Sequence, residues 1–213
     1  MRHRVEYVVV RLVALAVKML PRRTGLAIGS FLGRVFYLLH RNRRQLAVAN
    51  LRAAFPSRTE RECQAIVRAT FGHFGRHIIE LLNFDAMSTN EMMRLVEIEG
   101  GERVEQAQAN GGGVMYYTGH FGYWELQVMV HAVRFRPIVM VARTLDNPFL
   151  ERLIERMRSR VNTRVVPRQG AVRSLLRALH DRESVGMMID QHIQDRSAIM
   201  VNFFDRPAAT TSS

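Results

Sequence analysis

The stretch Gly119-His120-Phe121-Gly122-Tyr123-Trp124-Glu125 sets an imidazole and a carboxylate five residues apart across a glycine turn. Residues 114–117 form an apolar run with strand character, and residues 123–133 have the spacing of a helix. His120 therefore emerges at the carboxyl end of a strand. Gly122 permits the tight turn, and Glu125 falls in the first turn of the following helix. A carboxylate so placed can hold one imidazole nitrogen as a donor and raise the basicity of the other. That is the minimum needed to take a proton from a hydroxyl as it attacks a carbonyl. The helix start adds free amides and positive dipole for charge that develops nearby. The glycine triplet 111–113 is no phosphate cradle, because it precedes the strand and lacks the spacing of either nucleotide fingerprint.

The elements that must position this pair follow from the alternation around it. Residues 138–142, 164–166 and 185–189 read as strands, and residues 148–160 and 171–180 as helices. The pattern predicts an α/β fold, a largely parallel or mixed sheet flanked by helices. Chemistry in such sheets sits at the carboxyl ends of strands, which directs attention to the residues just after Tyr117, Ala142, Val166 and Ile189. Upstream, residues 43–84 read as helical with a turn at Phe55-Pro56-Ser57. The second helix starts near Thr59, with Ser57 or Thr59 as cap and Glu60 and Glu62 in its first turn. Its apolar residues Ile66, Val67, Phe71, Phe74, Ile78 and Leu81 predict a core face.

Charge is unevenly spread. The 213 residues carry 31 Lys+Arg against 19 Asp+Glu, net +12, and Lys18 is the one lysine. Residues 1–44 hold ten of the basic side chains against Glu6 alone. These cations interrupt or flank apolar stretches, at 5–20 and 26–39, and do not lie on a polar face interleaved with aromatics, so a nucleic-acid partner is not expected. The longest uninterrupted apolar run, 12–17, is too short to span a bilayer, and Arg11 and Lys18 interrupt any signal-peptide core. The expectation is a helical hairpin over 1–44 that associates with an anionic membrane surface, followed by a catalytic domain over 45–213. A single cysteine, Cys63, excludes a disulfide framework and a four-cysteine zinc site.

GHFGYWE resembles the H-x4-D/E block of the glycerolipid and lysophospholipid acyltransferase superfamily, most closely its bacterial lipid A (lauroyl/myristoyl) acyltransferase branch. Supporting blocks follow in order. Asn50-Leu51 with Phe55-Pro56 resembles the branch's N-terminal signature, and Arg143 through Asn147-Pro148 its R-x3-NP block. Arg158 and Pro167-Arg168-Gln169-Gly170 resemble its basic segment, Asp190-Gln191 its DQ pair, and the stretch from Val201 to Thr210 its V-x-FFG-x-PA-x-T block. Asp205 stands where the family usually has glycine. The resemblance implies acyl transfer from an acyl carrier protein or coenzyme A thioester to a hydroxyl of a lipid A precursor or related lipid acceptor. It implies His120 as general base and Glu125 as its orienting partner, with no cofactor beyond the thioester co-substrate. By the same resemblance Arg143, Asn147, Arg158, Arg168, Gly170, Phe203 and Phe204 are candidates to contact substrate, with Gly122 and Asp190 supporting. It implies a place on the cytoplasmic face of the bacterial inner membrane. Because the chain ends just after the last block, the sheet is expected to be incomplete, with the C-terminal part of the domain missing.

Two other readings fit parts of the sequence. A metal-dependent hydrolase could use His120, Glu125, Asp190 and His192, although no H-E-x-x-H spacing is present and the dyad reading needs no metal. A non-catalytic basic binder of membranes or nucleic acid would show salt-sensitive binding indifferent to His120.

Overall fold

The computed structural model describes residues 1–83, 87–167, 170–193 and 198–211. Two compact units emerge, one of residues 1–9 with 87–191, the other of residues 10–86 with 192–213.

The first unit carries the sheet. Four strands, β1 (Val114–Thr118), β2 (Ile138–Ala142), β3 (Thr163–Pro167) and β4 (Ser184–Met188), lie in the order β1-β4-β2-β3, and every pairing is parallel. This bears out the predicted class. Side chains alternate between the two faces as a strand's period of two requires. Ile138 and Met140 pack with Ala132 of the helix α7 (Trp124–Arg134) on one face. Val139 packs with Ala171, Leu175 and Ala178 of α9 (Ala171–His180) on the other. Helix α8 (Pro148–Ser159) links β2 to β3, and two short helices, α5 (Thr89–Arg94) and α6 (Gly101–Ala109), precede β1. Neither short helix was evident from apolar spacing, although Ser88 and Glu91 form a capping box that marks the start of α5.

The second unit packs helices through glycine. Helix α1 (Arg2–Lys18), of which residues 10–18 belong to this unit, is followed by α2 (Arg22–Leu39), α3 (Arg41–Ala54) and α4 (Glu60–Asn83). Thr59 caps α4: its Oγ accepts from the Glu62 amide, and Glu62 reaches back to the Thr59 amide at 2.8 Å. The buried stripe of α2 is Gly25, Gly29, Gly33 and Tyr37, one residue per turn, and it lies on Gly72 and Gly75 of α4. A Cβ at Gly29 would stand 2.5 Å from the Gly75 carbonyl oxygen, and one at Gly33 would strike the Phe71 carbonyl. The absence of side chains is what lets these backbones approach. The core face expected on α4 is corrected accordingly. Cys63, Val67 and Ile79 are buried with the glycines, whereas Phe74 and Ile78 are about half exposed.

The outer faces of α1 and α2 are apolar. Val8, Val9, Leu12 and Leu15 on α1, and Phe31, Leu32, Leu38 and Leu39 on α2, are all exposed. Among the described residues, no helix is long and apolar enough to cross a membrane. The segment that resembles V-x-FFG-x-PA-x-T folds as an antiparallel hairpin, β5 (Ile199–Phe203) and β6 (Arg206–Thr210). Its two turn residues, Phe204 and Asp205, both have φ near +55°, the geometry of a two-residue hairpin loop. Aspartate tolerates that region better than most residues, which is why the departure from glycine is accommodated.

Two predictions follow from the packing. Gly29→Ala should lower unfolding free energy by about 1–3 kcal/mol in urea titration, because the added methyl meets backbone that cannot yield. Gly25→Ala, whose methyl would meet only side chains, Ile79 at 3.3 Å and Val17 at 4.0 Å, should be close to neutral. The second concerns His131, whose Nε2 lies 3.0 Å from the Ser184 hydroxyl and whose ring sits between Tyr116 and Phe135. Burial lowers its pKa from 6.5 to about 4. The unfolded chain thus binds a proton between those values that the folded chain refuses, and stability falls as pH drops from 6.5 toward 4. His131→Gln should flatten the fall of melting temperature with pH across that window.

Candidate functional site

The site assembles at the carboxyl ends of β1 and β4. Register pairs Thr118 with Met188, and the Ile189 amide still donates to the Thr118 carbonyl at 3.0 Å. Two residues beyond that paired rung lie His120 and Asp190. The imidazole Nδ1 is 2.8 Å from Asp190 Oδ1, and the His120 backbone amide donates to Asp190 Oδ2 at 2.6 Å. The carboxylate thus grips both the ring and the main chain of one residue. Gly119 admits it, since a Cβ there would lie 3.0 Å from Asp190 Oδ2. Gly122 has φ of +58°, the left-handed conformation the turn requires. The Trp124 ring meets the imidazole edge to face at 5.1 Å.

Charge and tautomer follow from these contacts. Partial burial pushes the Asp190 carboxyl up, but the hydrogen bonds from the His120 ring and amide outweigh it, and the net pKa is lowered. Asp190 is therefore a carboxylate at neutral pH. Facing it, Nδ1 of a neutral imidazole must carry the proton, which leaves Nε2 with its lone pair. The Gln191 amide nitrogen lies 3.3 Å from that Nε2 and points a donor at it. His120 is thus held as a proton acceptor at Nε2.

Glu125 lies in the first turn of its helix as expected, but its partner differs. Among the described residues, no hydrogen bond joins it to His120. Its two oxygens take the Arg158 guanidinium in a bidentate pair, Oε1 from Nη2 at 2.6 Å and Oε2 from Nε at 3.2 Å. The expected His120–Glu125 hydrogen bond is corrected to His120–Asp190. The reason is that β4 brings a second carboxylate directly alongside β1, while Arg158 satisfies the first. Glu125 lies in the first turn of α7 and Arg158 in the last turn of α8, so each charge also faces the favourable end of its helix. Both side chains are about four-fifths buried, so the pair is shielded from solvent competition.

The remaining candidates fall outside this cluster. Asn147 is the cap of α8, accepting from the Phe149 and Leu150 amides, and its Nδ2 donates to the His3 carbonyl and to Glu6. Arg143 makes an exposed ion pair with Asp146 at 2.8 Å. Gly170 begins α9 with φ of +72°, and Arg168 lies outside the described residues. Phe203 and Phe204 belong to the hairpin of the second unit, where Phe204 meets Phe55 at 5.0 Å and both hairpin rings stay substantially exposed. His120, Asp190 and Gln191 come together, as do Glu125 and Arg158. Gln191 and Gly119 were missed as site residues. The adjacency of Gln191 to Asp190 and of Gly119 to His120 was the available signal. Among the described residues, no three His, Cys, Asp or Glu side chains converge in a metal-holding group.

The chain is 27% identical to a lipid A biosynthesis acyltransferase of Haemophilus influenzae, over 87% of its own length and 59% of the relative's. It is 25% identical to the lipid A biosynthesis lauroyltransferase of Escherichia coli, over 91% of its length and 63% of the relative's. A third relative, the Escherichia coli lipid A biosynthesis myristoyltransferase, is 22% identical over 86% and 55%. The chain spans about three-fifths of the length of these relatives. The family profile for bacterial lipid A biosynthesis acyltransferases matches residues 1–213, and the chain belongs to that family.

Proposed function

We propose that this protein transfers a fatty acyl group from a thioester, carried on acyl carrier protein or coenzyme A, to a hydroxyl of a lipid A precursor. The observation that carries the reading is the His120–Asp190 pair at the carboxyl ends of β1 and β4, with Nε2 left as an acceptor, in a chain of this family. The acceptor hydroxyl takes the place of the Gln191 amide beside Nε2. As its oxygen attacks the thioester carbonyl carbon, its proton passes to Nε2. The resulting imidazolium is compensated by Asp190, and negative charge collects on the former carbonyl oxygen. Collapse of the tetrahedral species expels the thiolate, which takes the proton back from Nε2. The atoms balance without a cofactor, and general-base help of this kind contributes about 10²–10⁴-fold.

In this reading Glu125 works through Arg158, anchoring the first turn of α7 beside the imidazole and Trp124. Arg158 commits its Nε and Nη2 to that pair. The exposed apolar faces of α1 and α2, with their arginines, support association with an anionic membrane, at the cytoplasmic face of the inner membrane where a lipid acceptor and a cytoplasmic thioester would meet.

The test is transfer of labelled acyl groups from both thioester donors into a total lipid extract, with and without EDTA. Wild type should label a lipid band regardless of chelator, and His120→Ala should label none while still sedimenting with anionic vesicles. Full activity in His120→Ala would sink the assignment. Asp190→Asn, which keeps the shape but cannot compensate an imidazolium, should lower kcat by roughly 10²–10⁴-fold with little change in KM. A kcat within about twofold of wild type would remove Asp190 from the mechanism.

A further inference from the structure

An open groove of about 800 Å³ lies in the helical unit, well away in sequence from the residues of the reaction. One stripe of α3 lines it, Arg41, Gln45, Val48 and Arg52, at the spacing of a single helix face. Tyr37 and Leu38 close it from the last turn of α2, and Glu60 and Gln64 from the first turns of α4.

The charges in the groove are unequal. Three guanidinium groups, Arg41, Arg44 and Arg52, face a single carboxylate, Glu60. Glu60 is already shared by Arg52 at 3.4 Å and the Gln64 amide at 3.0 Å. Arg44 is fixed in place: it donates to the Tyr37 and Leu38 carbonyls, the open end of α2, and lies over the Tyr37 ring at 5.2 Å. Arg41 has no ion pair or hydrogen bond among the described residues. A small surface that keeps two positive charges in excess beside an apolar floor of Leu38 and Val48 suits an anion that is also greasy. Guanidinium groups take phosphate in a planar, two-pronged fashion, and the neutral amides of Gln45 and Gln64 suit a polyol.

What selects a lipid over other anions is the surface the groove opens from. It begins where the exposed apolar face of α2, through Phe31, Leu32, Phe36 and Leu39, comes to its end. Acyl chains along that face would place a headgroup at the arginines. We infer that the groove between α2, α3 and α4 is a discrete binding site for the phosphate headgroup of an anionic membrane lipid, held by Arg41 and Arg52 with Arg44 as a fixed positive wall. This goes beyond acyl transfer, since it needs neither His120 nor Asp190.

Titration calorimetry of the whole chain in neutral detergent tests it, with dihexanoyl phosphatidylglycerol as probe, below its micelle concentration. Dihexanoyl phosphatidylcholine, inorganic phosphate and an acidic carrier protein are the comparison ligands. Saturable one-to-one binding of phosphatidylglycerol is expected, weakened at least about tenfold by Arg41→Gln or Arg52→Gln. Arg43→Gln, which removes the same charge from α3 outside the groove, should leave it unchanged, as should His120→Ala. Far-ultraviolet circular dichroism of each variant confirms that α3 is intact. Equal binding of phosphatidylcholine, phosphate or the acidic protein would overturn the inference, as would an equal loss in Arg43→Gln. Absence of acyl transfer by the wild-type protein, with lipid binding intact, would overturn the functional reading alone.

Discussion

Parallel strands deliver their carboxyl ends to one edge of a sheet, so two residues distant in sequence meet there if their strands are neighbours in register. Here Thr118 is opposite Met188, and continuing each chain by two residues sets His120 against Asp190. The meeting of His120 and Asp190 depends on that rung. Slip the register by one residue and the carboxylate would point to the other face. Gly119 belongs to the same constraint, because a side chain there would occupy the space the carboxylate needs.

Around this rung the charges are arranged so that none is left alone. Asp190 is matched by two donors of His120, and Glu125 by both prongs of Arg158. A half-buried charge without a partner costs more than a pair contributes, which makes such pairs valuable chiefly for geometry. The pair across α7 and α8 ties two helix ends together near the imidazole. It thereby frees His120 to take its orientation from β4. By contrast, the Ser184–His131 contact resembles a nucleophile–base pair only in its atoms. It lies at the amino end of β4, and burial keeps the imidazole neutral and its proton affinity low.

The two units use opposite packing rules. The sheet unit buries Val, Ile, Leu and Met between strands and helices, the ordinary arrangement in water. The helical unit buries a glycine stripe beside Val17, Val67 and Ile79 and leaves many of its Leu and Phe side chains exposed. Where the surroundings are apolar, burying large side chains between helices gains little, and close backbone approach holds helices together instead. That packing leaves a greasy surface on α1 and α2.

How much of this was legible in the sequence depends on the distance over which each feature is decided. Apolar period, glycine turns and capping residues act within a few residues, so the strands and helices from residue 114 to 188 appeared close to their observed bounds. The start of α4, with its cap narrowed to Ser57 or Thr59, and the class of the sheet were readable for the same reason. The core face of α4 was misread because apolar periodicity locates large side chains, while contact with α2 selects small ones. The hairpin at Phe204-Asp205 carried no Asn-Gly signal to announce it. His120 stood out as a candidate site residue from its strand, turn and helix start. Its partner did not. Glu125 is five residues away and Asp190 is seventy, and local spacing favours the nearer. Only the insertion of β4 between β1 and β2 brings the distant carboxylate closer, because strand order is set by how the whole sheet packs and not by any segment of it.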